Sequence, residues 1–130
     1  MPTATPVPTP TPTPTPVVLT TADQAVQPTL ICIGHRPWDG RYYLRFGYNN
    51  TEPYPVEIAI DGVDGTTQLN QVIVTPVDGS TPFEFTAGPA LFAMGSNTAF
   101  DVVVNQKDQV TWNLDGNSLT ATTNGAVQCP

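Results

Sequence analysis

The stretch RYYLRFGYNN, residues 41–50, sets how the whole chain is read. Tyr42, Leu44, Phe46 and Tyr48 fall on one side of an extended backbone, and Arg41, Tyr43, Arg45 and Gly47 on the other. Successive side chains of a strand point to opposite faces, so a period of two with one apolar side marks a half-buried strand. The Tyr42–Tyr48 side is the predicted core face, and it needs a second apolar surface to cover it.

Similar runs downstream can supply that surface. Val56, Ile58 and Ile60 alternate with Glu57, Ala59 and Asp61, and Phe83 pairs with Phe85. Phe100, Val102 and Val104, then Val110, Trp112 and Leu114, complete the inward set. PWDG, NTEP, DGVDG, VDGSTP, GSN and DGN separate the runs with the residues that favour turns. A strand and a turn about every ten residues describe a sandwich or barrel. No window carries a helical period, so the expected class is all-β and antiparallel.

Upstream the chain changes character. Seven of its 15 prolines lie in the first sixteen residues, alternating mostly with threonine. Proline removes backbone donors and holds φ near the polyproline II value, so this tract has neither a ladder nor a core. It is an extended Pro/Thr linker over residues 1–17, reaching on the order of 45 Å at about 3.1 Å per residue. Residues 18–29 form a transition with some strand character, a possible added strand, and residues 30–130 the sandwich domain.

Charged residues are only 12% of the chain, against a usual quarter or so. The net charge is −7, eleven acids standing against Arg36, Arg41, Arg45 and Lys107. Nucleic acid needs clustered cations to neutralise phosphates, and an anionic membrane surface needs the same, so both are disfavoured as partners. The apolar runs are a few residues long, far short of a membrane span, so no membrane insertion is expected.

Cys32 and Cys129 stand near the two edges of the predicted domain. They are either two separate buried thiols or a disulfide. The terminal placement, the low charge and the Pro/Thr tract favour the disulfide, which implies an oxidising, extracellular compartment. No signal peptide precedes the tract, which suggests a mature fragment cut within a linker.

FGYNN (46–50), PFEFTAG (82–88), AFDVVV (99–104) and VTWNLDGNSLTAT (110–122) together resemble a recurrent module of secreted bacterial proteins. The resemblance implies a small immunoglobulin-like sandwich hung at the end of a larger exported protein, and it implies no particular ligand. The chain departs from that pattern at IDGVDGTTQLNQVIV (60–74), where the module has a shorter turn. Its layout is also similar to the cellulose-binding modules of secreted glycoside hydrolases, in which a Pro/Thr linker precedes a sandwich with Cys near both ends.

Little in the sequence supports catalysis. His35 is the single histidine, and no nucleophile-elbow pattern surrounds Ser80, Ser96 or Ser118. No enzyme activity and no resident cofactor are expected. Calcium is the one metal with any support, at Asp61, Asp64 and Asp78 in their Asp-Gly loops, although that dipeptide is equally a hairpin turn. Trp112, at an inward position, is expected to be structural.

The segment GHRPWDGRYYLR, residues 34–45, gathers the binding chemistry. Trp38, Arg36, Arg41, Tyr43 and Arg45 combine aromatic planes with cationic forks, the residue types that dominate interaction hot spots. Trp38 either presents a ring to a ligand or caps the end of the core. Thr3, Thr5, Thr9, Thr11, Thr13 and Thr15 are acceptors for O-linked sugars in a mucin-like tract, and Asn49-Asn50-Thr51 is an N-x-Thr sequon. The sequence therefore points to a secreted, non-catalytic attachment or self-assembly module. Its partner would be further copies of itself, with Thr15–Val26 adding as a strand to a neighbour. The alternative is a carbohydrate-binding module that targets a linked enzyme to a polysaccharide.

Overall fold

A computed structural model of the chain describes residues 3–5, 15–60, 69–125 and 127–130. The described residues contain ten strands and no helix. They are β1 (Val17–Val18), β2 (Val26–Arg36), β3 (Arg41–Asn50), β4 (Val56–Glu57) and β5 (Asn70–Thr75). β6 (Phe83–Glu84), β7 (Leu91–Phe92), β8 (Gly95–Val104), β9 (Gln109–Leu114) and β10 (Asn117–Thr122) follow.

Two antiparallel sheets form the body, one ordered β2-β3-β8 and the other β10-β9-β5-β6. The stretch 41–50 is β3, the centre of the first sheet, paired with β2 on one side and β8 on the other. Its predicted core face is buried: Leu44, Phe46 and Tyr48 belong to one hydrophobic cluster with Val102 and Val104. Val72, Val74, Val110, Trp112 and Leu114 of the second sheet join the same cluster. The core therefore sits between the sheets, as in a β-sandwich.

Aromatic rings fill its middle. Phe46 and Trp112 meet edge to face at 6.1 Å, and Phe100 meets Trp112 at 4.8 Å. The Trp112 indole N–H donates to Asn70 Oδ1 at 3.0 Å, which satisfies its single polar group. Trp112 is fully buried, so its predicted structural role agrees with its surroundings.

Alternation overreaches at the sheet margins. Ile60, expected inside, is 38% exposed; β4 ends at Glu57, and its pairing continues through the buried Ile58, whose N–H donates to Ala90 O, two residues short of Ile60. Phe83 pairs with inward-facing Val74 yet stays 52% exposed, because β6 is a two-residue edge strand with little to cover it.

Gly47 has a structural reason that alternation does not show. Ile31 and Ala99 are extra residues at register shifts in β2 and β8, which fall on either side of Phe46 in β3, at Arg45–Phe46 and at Phe46–Gly47. A methyl group at Gly47 would overlap the Asn97 carbonyl and the Ile31 side chain, so glycine lets the neighbouring strands close in.

Cys32 and Cys129 form the predicted disulfide, across a sequence separation of 97. The C-terminal segment lies along β2: the Ile33 N–H donates to Val127 O at 2.8 Å, and the Cys129 N–H to Ile33 O at 2.9 Å. The bridge thus pins a backbone pairing that covers part of the β2 edge. Val17 and Val18, whose strand character was predicted, form β1, which runs parallel to β4 in a small third sheet ordered β1-β4-β7.

Candidate functional site

The β2–β3 hairpin assembles the residues singled out at 36–45. Pro37–Gly40 form its turn, in which the Asp39 and Gly40 N–H groups both donate to Arg36 O. The Arg36 guanidinium pairs with Asp39 at 2.8 Å and stacks 5.0 Å from the centre of the Trp38 ring. Trp38 is 74% exposed, so it presents a ring to solvent rather than capping the core.

On β3, Tyr43 and Arg45 share the outward face. Gly34 lies opposite Tyr43, and a methyl group there would overlap the phenol ring, so the ring rests flat on the bare backbone of β2. Arg45 stacks 5.4 Å from the Tyr43 ring and makes a two-pronged ion pair with Asp101 of β8, at 2.9 and 3.1 Å. That carboxylate raises the Arg45 pKa above its ordinary value. Tyr43 and Arg45 therefore form one outward-facing cluster, and Arg36 and Trp38 another beside the turn.

Arg41 turns elsewhere. Its Nη2 reaches Val103 O at 3.5 Å, and it borders a cleft of about 240 Å3 at the hairpin end of the two sheets. Val74, Phe83 and Val104 supply apolar wall, and Asp78, Ser80 and Asp108 supply rim. The acids there are occupied: Asp108 accepts from the Val77 and Asn105 N–H groups, and Asp78 from the Ser80 N–H. Hydrogen bonding from Ser80, first from its side chain and then from its N–H, holds the Asp78 carboxyl below its ordinary pKa. The sequence gives no warning of this cleft, because its wall joins residues from three strands.

His35 is exposed, with its ring 4.8 Å from that of Tyr42. Ser96 lies toward the far end of β8, paired with Asn49, while His35 pairs with Tyr42 near the hairpin. Among the described residues no group of three or more His, Cys, Asp or Glu side chains is placed to hold a metal. Asp61 and Asp64 lie outside the described residues, as do Thr9, Thr11 and Thr13. Thr3, Thr5 and Thr15 are exposed, and Asn49 of the sequon is half-buried on β3.

A second arrangement, absent from the sequence reading, lies at the opposite end of the molecule. Asp115 is fully buried at the β9–β10 turn, and its carboxylate accepts the N–H groups of Asp23 at 2.8 Å and Val26 at 3.1 Å. Asp115 O accepts the Gln24 N–H at 2.9 Å, and the Asn117 amide donates to Gln24 O and Val26 O. Thr51 adds two bonds to Ala25 O, from its N–H and from its hydroxyl. Further upstream the Val17 and Leu19 N–H groups donate to Pro55 O and Glu57 O, and Leu19 packs against the core. Residues 17–26 are thus clasped along their backbone.

Burial, and then the hydrogen bond with Asp23, raise the Asp115 pKa; the same bond holds Asp23 below its ordinary value. Glu52 also hydrogen-bonds Asp23, and burial beside Glu52 raises the Tyr54 pKa. Asp115-Gly116 reads in sequence as a turn dipeptide, and nothing local announces that its carboxylate grips a segment ninety-two residues upstream.

The chain matches no protein-family model, no curated protein and no solved structure, so its geometry alone bears on what it does. No helix among the described residues is long and apolar enough to cross a membrane. The disulfide is compatible with a secreted or extracellular protein.

Proposed function

We propose that this chain is a non-catalytic extracellular module of immunoglobulin-like type that attaches or self-assembles through its N-terminal segment. The strand order supports the fold assignment. With β2, β3 and β8 as strands A, B and E, and β5, β9 and β10 as C, F and G, the pairing follows that of the immunoglobulin sandwich. β6 then occupies the added position beside strand C.

One observation carries the functional reading. Residues 17–26 lie outside the Cys32–Cys129 ring and are held by backbone hydrogen bonds to β4, Thr51 and the β9–β10 turn. Backbone pairing of an extended segment is the general means by which one chain adds a strand to another. The Pro/Thr tract immediately upstream gives that segment reach.

The test is electron microscopy and light scattering of the purified chain over a concentration series. Assemblies are expected, and deletion of residues 2–21 is expected to abolish them. That deletion spares Asp23–Val26 and with them the bonds to Asp115. A deleted chain that still assembles overturns the reading.

The exposed Trp38 ring favours a second reading, a carbohydrate-binding module, because a bare indole beside arginine forks can stack on a sugar ring. It predicts retention on an insoluble polysaccharide that is lost in Trp38→Ala or Tyr43→Ala. Absence of retention across cellulose, chitin and xylan overturns it.

A further inference from the structure

We propose that residues 15–23 form an exchangeable strand, which swings out at Gln24 and fills the same groove on a second copy of this chain. The proposal rests on the assembly reading above and gives it a mechanism.

The groove is specific for this segment, because its own segment already occupies it. β1 pairs in register with β4, Val17 with Val56 and Val18 with Glu57. Leu19 supplies the apolar anchor, the Val17 and Leu19 N–H groups donate to Pro55 O and Glu57 O, and Asp115 accepts the Asp23 N–H. Every one of these partners exists unchanged in a second copy. Intramolecular and exchanged forms therefore make the same contacts, and hinge strain and protein concentration decide between them.

The hinge is visible. Gln24 has φ 63°, a left-handed conformation that a residue with a side chain adopts at a cost. It sits where the clasped segment meets β2, which begins at Val26. Converting Gln24 to an extended conformation relieves the strain and redirects everything upstream away from its own domain. Strained connections of this kind favour exchange over closure.

The segment is also free to leave. The disulfide encloses residues 32–129, and β1 and Gln24 both lie before it. The sheets can keep their pairing while the segment departs. Val17 is 41% exposed and Val18 61%, so the β1 end of the segment is held by pairing more than by burial.

The experiment uses two single variants of the full chain, Val18→Cys and Glu57→Cys. Mixed in equal amounts and oxidised, they can form an 18–57 disulfide only between chains. Peptide mapping reads that linkage against 18–18 and 57–57 collisions and checks that Cys32–Cys129 is intact. Exchange predicts an 18–57 dimer whose yield exceeds both collision products and rises with concentration. Gln24→Gly, which removes the strain, should lower the yield roughly fivefold or more, and Gln24→Ile should raise it. If Gln24→Ile fails to fold, the glycine variant alone still decides. No 18–57 excess at any concentration, while the double variant crosslinks fully within one chain, overturns exchange. Filaments that form without the linkage overturn exchange and leave assembly standing. Linked pairs that never grow further keep exchange and overturn the filament.

Discussion

Asp115→Asn tests how the N-terminal segment is held. Each carboxylate oxygen of Asp115 accepts one backbone N–H, from Asp23 at 2.8 Å and from Val26 at 3.1 Å. An asparagine keeps the shape but offers one acceptor and turns an NH2 group toward the other donor. One hydrogen bond to a charged group is lost, worth about 1.5–3 kcal/mol. Docking of residues 17–26 should therefore weaken about ten- to a hundredfold. Hydrogen exchange resolved to single amides measures it: Val17, Leu19, Asp23 and Val26 should lose that much protection while Val72 and Trp112 keep theirs. The wild-type protein should also show a pH dependence whose alkaline limb, that of Asp115, the variant lacks. Asp115 has a raised pKa in the folded state, so its contribution is present in acid and is lost as pH rises through that raised value. Asp23 has a depressed pKa, so its contribution is lost as pH falls through the depressed value. Docking should be tightest between the two, in a window that brackets the ordinary carboxyl value of 3.8. Uniform loss of protection across the domain, or none at residues 17–26, would refute the clasp.

Three further outcomes check the fold that carries it. Asn70→Leu strips the acceptor from the Trp112 indole and the donor from Ile58 O and Pro89 O, all in or near the core. It should cost about 3–5 kcal/mol in urea unfolding, and a loss under about 1 kcal/mol would show that these bonds are replaceable. Gly34→Ala should displace the Tyr43 ring and lower the melting temperature, with altered Tyr43 ring shifts in NMR; unchanged shifts would contradict the flat packing. Replacing Cys32 and Cys129 together by serine should destabilise by up to about 4–5 kcal/mol on the chain-entropy view, given a separation of 97, and calorimetry measures it.

The all-β class, the strand at 41–50 and the Cys32–Cys129 pairing are legible in the sequence because each rests on a local or compositional signal. Alternation works where a strand is long and central, as for Leu44 and Phe46, both fully buried. It fails at Phe83, because β6 is a two-residue edge strand with too few ladder bonds to bury what it points inward, and at Ile60, which lies beyond the end of the two-residue β4. The exposed Trp38 follows from its turn dipeptides, yet sequence alone leaves open whether the ring caps the core. Its stacking with Arg36 is a matter of spacing and is close to the reach of the sequence. The clasp is different in kind. Asp115, Asn117 and Thr51 are ordinary turn and loop residues, and only the fold brings them to Asp23–Val26.

The strand edges explain why the N-terminal segment is the one suited to exchange. An open edge is a template for unwanted pairing, and a sandwich must blunt each one. β2 and β8, the edges of the first sheet, each carry an extra residue at a register shift, Ile31 and Ala99, which twists the strand away from flat pairing. β2 is also covered at Ile33 by the C-terminal segment, and Cys129 locks that cover covalently. β6 is too short to offer more than two residues. β4 is covered by β1, and here no covalent bond holds the cover: two residues of parallel pairing, one apolar anchor and the Asp115 clasp do so instead. The chain thus closes one edge permanently and another reversibly, with the reversible cover lying next to the strained Gln24. A glycine at position 24 would adopt the same conformation without strain; the glutamine there leaves the closed form poised against the exchanged one.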